Sequence, residues 1–328
     1  MRVHSIGMDL RAVKSILKSN AERTWNPLGV SESYCSEWAK QLNLPERGET
    51  LLYTGCLYQM IPYIELFSNL LKRLESLGEV VSKVSLRFAS AVGSLGLNLT
   101  MLLGSITISE DDRQRYYALL HRIVVALKKA GIEIAYMREE PYNGVLYHDL
   151  GMDEIFERHA RRVAQKIRET GAKRVIVVDP HTMYALKHLI PEIVDNWDIE
   201  VIHYMDALLE RGYKPVKMSD LREIVLHDPC YLARWNEVID QPRKLLEEAG
   251  ISVKEPEFSR NFTGCCGGPI ESLLPTLASM ITQKRINELR ETGVNNVVVS
   301  CPICLVNFVR EAKKLGTNVY DIAEIVVG

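Results

Sequence analysis

"RETGAKRVIVVDPHTMYALKHL" occupies residues 168–189 and "RETGVNNVVVSCPICLVNFVRE" residues 290–311, and the two align without a gap. Each reads as the end of a helix, a glycine that stops it, a β-branched strand, and a turn whose proline opens another helix. RVIVV and NVVVS are apolar at successive positions, the pattern of strands buried on both faces of a parallel sheet. Three further pairs extend the match: "LLYTGCLYQ" (51–59) with "IVLHDPCYLAR" (224–234), "EPYNGVLYHDLG" (140–151) with "FTGCCGGPIESLL" (262–274), and "VIHYMDALLE" (201–210) with "NVYDIAEIVV" (318–327). Strands alternating with helices in two matching series predict an α/β fold: two related parallel-sheet, Rossmann-like domains built from an internal repeat. The expected division is a helical N-terminal segment (1–47), a first domain (48–215) with a helical insertion at about 80–130, and a second domain (216–328).

In such sheets ligands collect at the carboxyl ends of the strands, where each pair of the repeat places its most distinctive residues. The second copy puts cysteines there: Cys230, Cys265, Cys266, Cys301 and Cys304, five of the seven in the chain. Thirty-four residues separate Cys230 from Cys265, and thirty-four separate Cys266 from Cys301. In the first copy only Cys56, opposite Cys230, survives. Tyr142 and Asn143 stand opposite Cys265 and Cys266, and Asp179 and Thr182 opposite Cys301 and Cys304. That copy lacks most of the ligands a soft metal would need and reads as a relic scaffold.

An apolar share of 47% with 25% charged residues is that of a globular protein, and a net charge of -2 supplies no electrostatic reason to expect nucleic acid. The N-terminus, "MRVHSIGMDLRAVKSILKSN", lacks the continuous apolar core of a secretory signal. A cytoplasmic location is expected, with any membrane association made peripherally through a partner. A reducing compartment favours open thiols that bind metal over structural disulfides. Neither a Gly-rich dinucleotide fingerprint nor a phosphate loop occurs.

The motifs HDPC (227–230), GCCGG (264–268) and CPIC (301–304), with the two-copy arrangement, resemble the cysteine-rich CCG-domain family. That family includes the B- and D-type components of heterodisulfide reductase and the iron–sulfur subunits of glycolate oxidase and glycerol-3-phosphate dehydrogenase. The resemblance spans roughly residues 48–328 and implies a non-cubane [4Fe-4S] cluster held by Cys230, Cys265, Cys266, Cys301 and Cys304. Thiolates are soft donors suited to such a cluster, and flanking glycines let the backbone fold closely around it. Zinc is the open alternative, since CPIC and two further thiolates would satisfy a tetrahedral ion.

The expected function is that of an electron-transfer subunit, working beside a ferredoxin-type iron–sulfur protein or a flavoprotein dehydrogenase. The alternative is a non-catalytic docking module stabilised by structural zinc. Cys56 is read as a buried bystander and Cys35 as a thiol in a helical core. His227 either tunes the cluster through a hydrogen bond or is a satisfied structural histidine. His181, in the relic DPHT turn, is placed at the surface, with the vacated pocket as its other position.

The segment 88–109 carries no charge over twenty-two residues. Its polar residues and glycines argue against a membrane span, and the preferred reading is a helical arm buried against a second subunit or a partner. Ser109 and Asp112 form a capping box for a helix that runs to Lys129 and stops at Gly131. Residues 25–45 resemble the linker that follows a ferredoxin domain in longer relatives, and read locally as a turn and a capped helix.

Overall fold

The computed structural model describes residues 10–76, 104, 107–216 and 221–327. Among the described residues, seven short strands carry the architecture. β1 (Thr50–Tyr53), β2 (Arg174–Val177) and β3 (Glu200–His203) form one parallel sheet in the order β1-β2-β3. β4 (Glu223–Leu226), β5 (Ser252–Lys254), β6 (Asn296–Val299) and β7 (Asn318–Asp321) form a second, in the order β5-β4-β6-β7.

The registers follow the paired sequences. Val175 lies opposite Leu51 and Val201, and Val297 lies opposite Val225 and Val319. Ala135 makes a parallel bridge to Leu51 on the free side of β1, the side on which β5 flanks β4. Leu51–Tyr53, Val175–Val177, Ile224–Leu226 and Val297–Val299 are buried throughout, as helices covering both faces of a parallel sheet require. The α/β class expected from the strand pattern is therefore what the chain adopts.

The capping box forms as read. Ser109 accepts from the Asp112 backbone N–H, the Asp112 carboxylate accepts from the Ser109 N–H at 3.1 Å, and the helix runs Glu110–Lys129. Most of the uncharged segment 88–109, and with it the proposed oligomer contact of the insertion, lies outside the described residues. No helix among the described residues is long and apolar enough to cross a membrane.

The two sheets meet through helix Leu57–Ser76, which packs against the helices Pro275–Arg290 and Pro302–Ala312 of the second sheet. Tyr58 donates to Asp321 Oδ2 at 2.6 Å and Lys72 pairs with the buried Glu311 at 2.9 Å. Charges withdrawn from water in this way persist only when paired, so these contacts set how the sheets sit together.

The expectation of open thiols in the first half is overturned. Cys35 and Cys56 are joined in a disulfide, with Cα atoms 5.1 Å apart. Ser31 caps the short helix Glu32–Cys35, and Cys56 sits in the turn after β1, so the bond ties the N-terminal segment to the first sheet. Both residues are buried as expected, but neither is an open thiol.

Candidate metal centre

Each cysteine of the second copy is placed by a local rule. β4 ends at Leu226, and His227, Asp228 and Pro229 lead to Cys230 at the mouth of a wide helical turn, Tyr231–Trp235. β6 ends at Val299. Cys301 then stands in extended backbone as the N-cap of helix Pro302–Ala312, with Pro302 at its first position and Cys304 in its first turn. A helix N-terminus favours a thiolate there.

Cys265 and Cys266 reach the same place on a loop tied down from several sides. Thr263 donates to the Asp228 carbonyl at 2.8 Å, Thr282 donates to the Cys266 carbonyl at 2.7 Å, and the Arg285 guanidinium donates to the Phe258 carbonyl at 2.7 Å. Gly267 has φ +89°, and a Cβ on it would fall 2.5 Å from the Ala278 carbonyl oxygen. A Cβ on Gly268 would fall 2.4 Å from Ile303 and 3.5 Å from the Cys266 sulfur. A larger residue at 267 would strike backbone and displace the loop that carries Cys265 and Cys266, while one at 268 would have to displace the Ile303 side chain.

The five thiols perturb one another in series: Cys230 and Cys265, Cys265 and Cys266, Cys266 and Cys304, and Cys304 and Cys301 each shift the other's proton affinity. All five are free thiols. Contacts from Cys230 and Cys266 push the Cys265 thiol well below its ordinary range. Burial pushes Cys301 up, but Cys304 and His181 outweigh it and bring it down. Cys230, Cys266 and Cys304 are raised, the first two chiefly by Cys265 and the third chiefly by burial. Cys265 and Cys301 are thus the thiols that ionise first, and a soft cation is the natural counter-charge for them.

Among the described residues, no group of three or more His, Cys, Asp or Glu side chains is set to hold a metal ion as it stands. The fit to a metal group therefore rests on the donor set and its surroundings. Five soft donors meet with no disulfide among them. Buried donors His227 Nε2, Ser300 Oγ and Asn307 Nδ2 have no hydrogen-bond partner among the described residues. Buried polar atoms without partners call for an acceptor, which sulfide bound in a cluster would supply.

His181 is not at the surface. Its side chain is 13% exposed, and its Nδ1 lies 3.8 Å from the Cys301 sulfur and 3.7 Å from Asp179 Oδ1. Burial opposes its charge, but Cys301 and Asp179 outweigh burial and raise it to about 10. The DPHT turn of the first sheet therefore brings His181 to Cys301 of the other. Tyr231 stacks on the imidazole at 4.5 Å and donates to Asp149 at 2.8 Å.

His227 is fully buried, accepts from Arg285 Nε at 3.4 Å and packs on Phe308. Burial and Arg285 push it well below its ordinary range, so it stands neutral. Asp228, Arg243 and Arg285 escaped the reading of the sequence. Asp228 takes a bidentate pair from Arg243 at 2.8 and 2.9 Å, and its Oδ2 accepts from the Arg260 N–H at 2.7 Å, fixing the HDPC turn. The one available signal was arginines on the inner faces of otherwise amphipathic helices.

Residues 224–309 match the family model described as "Cysteine-rich domain" (CCG). The chain is 32% identical over 243 residues to the EtfAB:quinone oxidoreductase of Syntrophomonas wolfei, covering 69% of this chain and 33% of that protein. It is 29% identical to the D component of the dihydromethanophenazine:CoB–CoM heterodisulfide reductase of Methanosarcina barkeri, covering 61% and 52%. It is 30% identical to the B component of the fumarate reductase (CoM/CoB) of Methanothermobacter marburgensis, covering 36% and 24%. The chain thus spans between about a quarter and a half of the length of these relatives. Among solved structures, an aspartate racemase homologue from Pyrococcus horikoshii matches at 13% identity and a TM-score of 0.27, over 64% of this chain and 90% of that one, a likeness too weak to bear on function. The chain carries a cysteine-rich domain of the CCG family at residues 224–309, within a longer stretch similar to components of heterodisulfide reductase-type redox proteins.

Proposed function

We propose that the chain is an iron–sulfur electron-transfer subunit that holds one non-cubane [4Fe-4S] cluster through Cys230, Cys265, Cys266, Cys301 and Cys304. The observation that supports this reading is a set of five free thiols from three distant segments, each coupled electrostatically to the next. Tetrahedral zinc uses four ligands, and the fifth thiol would be left over. When bound, the cluster supplies one-electron chemistry.

The chain's own residues do the rest. Arg285, Thr263 and Thr282 hold the Cys265–Cys266 loop in place, His181 places positive charge beside Cys301, and the glycines at 267 and 268 keep the backbone close. The same reading makes residues 48–215 a degenerate copy of the domain at 216–328. A lone one-electron centre suits a relay better than a complete two-electron reductase, so the working partners are a ferredoxin-type iron–sulfur protein or a flavoprotein dehydrogenase.

Protein purified without oxygen is expected to be brown and to contain about four iron and about four acid-labile sulfide per chain, as a [4Fe-4S] centre requires. A colourless, redox-silent protein carrying stoichiometric zinc would replace this reading with a structural docking module.

A further inference from the structure

Asn307 is fully buried on the helix Pro302–Ala312, three positions after Cys304 and so on the same face of that helix. Arg310 donates to its Oδ1, and Arg310 is itself held by the Glu271 carboxylate at 2.5 Å. A guanidinium carries donors only, so the amide atom that faces Arg310 is the oxygen. The orientation of the amide is thereby fixed. Its Nδ2 is left on the other side, buried and without a hydrogen-bond partner among the described residues.

Gly268 shows where that nitrogen lies. A Cβ on it would fall 3.4 Å from Asn307 Nδ2 and 3.5 Å from the Cys266 sulfur, so the missing side chain leaves the amide and the thiol on one small space, which Ile303 closes. The first copy supplies the contrast. Val145 stands there opposite Gly268, and Ala185 opposite Asn307, both buried. Where the cysteines are missing, a side chain replaces the glycine and the donor is gone. An amide N–H buried without an acceptor is costly, and the copy that bears this cost is the one with free thiols.

Building on the cluster reading, we propose that Asn307 is a hydrogen-bond donor to sulfur on the Cys266–Cys304 side of the site and that it raises the reduction potential there. An electron added to an iron–sulfur centre increases the negative charge on its sulfurs, and a donor fixed in advance stabilises that state more than the oxidised one. Only the electron moves. No bond between heavy atoms forms or breaks, no proton is transferred, and the amide stays neutral throughout.

The test is a redox titration of the full chain purified without oxygen, with dithionite as the reductant and EPR as the readout. Asn307→Leu, close to asparagine in volume but without a donor, is expected to keep iron and sulfide at wild-type levels while its midpoint falls by about 59 mV, a tenfold loss in a one-electron reduction equilibrium. The fall should be the same at pH 6.5 and pH 8.5, because an amide does not titrate. Asn307→Ala should give the same fall if the leucine variant fails to fold. A second readout uses the wild type itself. One state of a one-electron couple is paramagnetic, and in that state pulsed EPR should detect coupling to nitrogen-15 placed in the asparagine side-chain amides. Iron-replete variants at the wild-type potential, or a wild-type cluster without that coupling, overturn the proposal and leave the cluster reading standing. A wild type without iron ends both.

Discussion

At the carboxyl end of β6, Cys301 and Cys304 meet Cys265 and Cys266. At the carboxyl end of β2, Asp179 and Thr182 meet Asn143 instead. Asn143 donates to Thr182 Oγ1 at 2.8 Å, Thr182 donates to Asp179 Oδ2 at 2.5 Å, and Asp179 Oδ1 accepts the backbone N–H groups of His181 and Thr182 at 2.9 and 3.0 Å. These bonds form a closed set in which the aspartate caps the helix Pro180–Tyr184. In the other sheet, His227 Nε2, Ser300 Oγ and Asn307 Nδ2 are buried without partners among the described residues. The Asn143–Thr182–Asp179 set closes on itself, whereas the matching positions of the other sheet hold free thiols.

The largest expected effect tests that asymmetry directly. Cys304→Ser should remove nearly all iron and sulfide from anaerobically purified protein, whereas Thr182→Ala, at the matching position, should leave the metal content unchanged. Equal iron in both variants, measured by chemical analysis and low-temperature EPR, would erase the distinction between the two regions.

The next effect concerns the one cross-link, which belongs to the region without the free cysteines. Closing a loop between Cys35 and Cys56, 21 residues apart, should stabilise the chain by about 3 kcal/mol through the unfolded state. The Cys35→Ala/Cys56→Ala double variant is expected to unfold at correspondingly lower urea with its iron retained. Seven titratable thiols in the denatured, metal-stripped wild type would show that the bond is absent.

An effect of similar size, but spread over pH, comes from the same region. Glu140 is fully buried, accepts from the Thr54 hydroxyl at 2.8 and 3.0 Å, and contacts Tyr136. Burial raises it to about 7, against which Tyr136 and Thr54 work. A carboxyl with a raised folded pKa is protonated in the native state and ionised in the unfolded one across that interval. Its contribution therefore weakens stability as pH rises from about 4.5 to about 7, by about 1.4 kcal/mol per unit, and levels off above. Glu140→Gln should flatten that part of the profile in urea titrations from pH 5 to 8. An unchanged slope would place the linkage elsewhere.

The parallel strands, the capping box and the carboxyl-end position of the cysteines were all legible in the sequence, because each follows from near neighbours. RVIVV can be buried on both faces only if helices cover both, and Ser109 can cap only the helix that begins beside it. Aligning the two copies set Asn143 opposite Cys266 and Thr182 opposite Cys304, but their hydrogen bond is a finding of the structure. The disulfide did not, because Cys35 lies outside the repeat and carries no spacing rule that points to Cys56.

The sequence by itself determined the α/β layering and which five thiols stand at strand ends. Tertiary structure alone decided that Cys35 bonds Cys56, that His181 of one sheet reaches Cys301 of the other at 3.8 Å, and that Arg243 and Arg285 are buried to hold the motif loops. The physical reason is range. Propensity, capping and periodicity act over a few residues and repeat along the chain, whereas a bond or charge pair between distant segments depends on how helices and sheets pack, which no local pattern records.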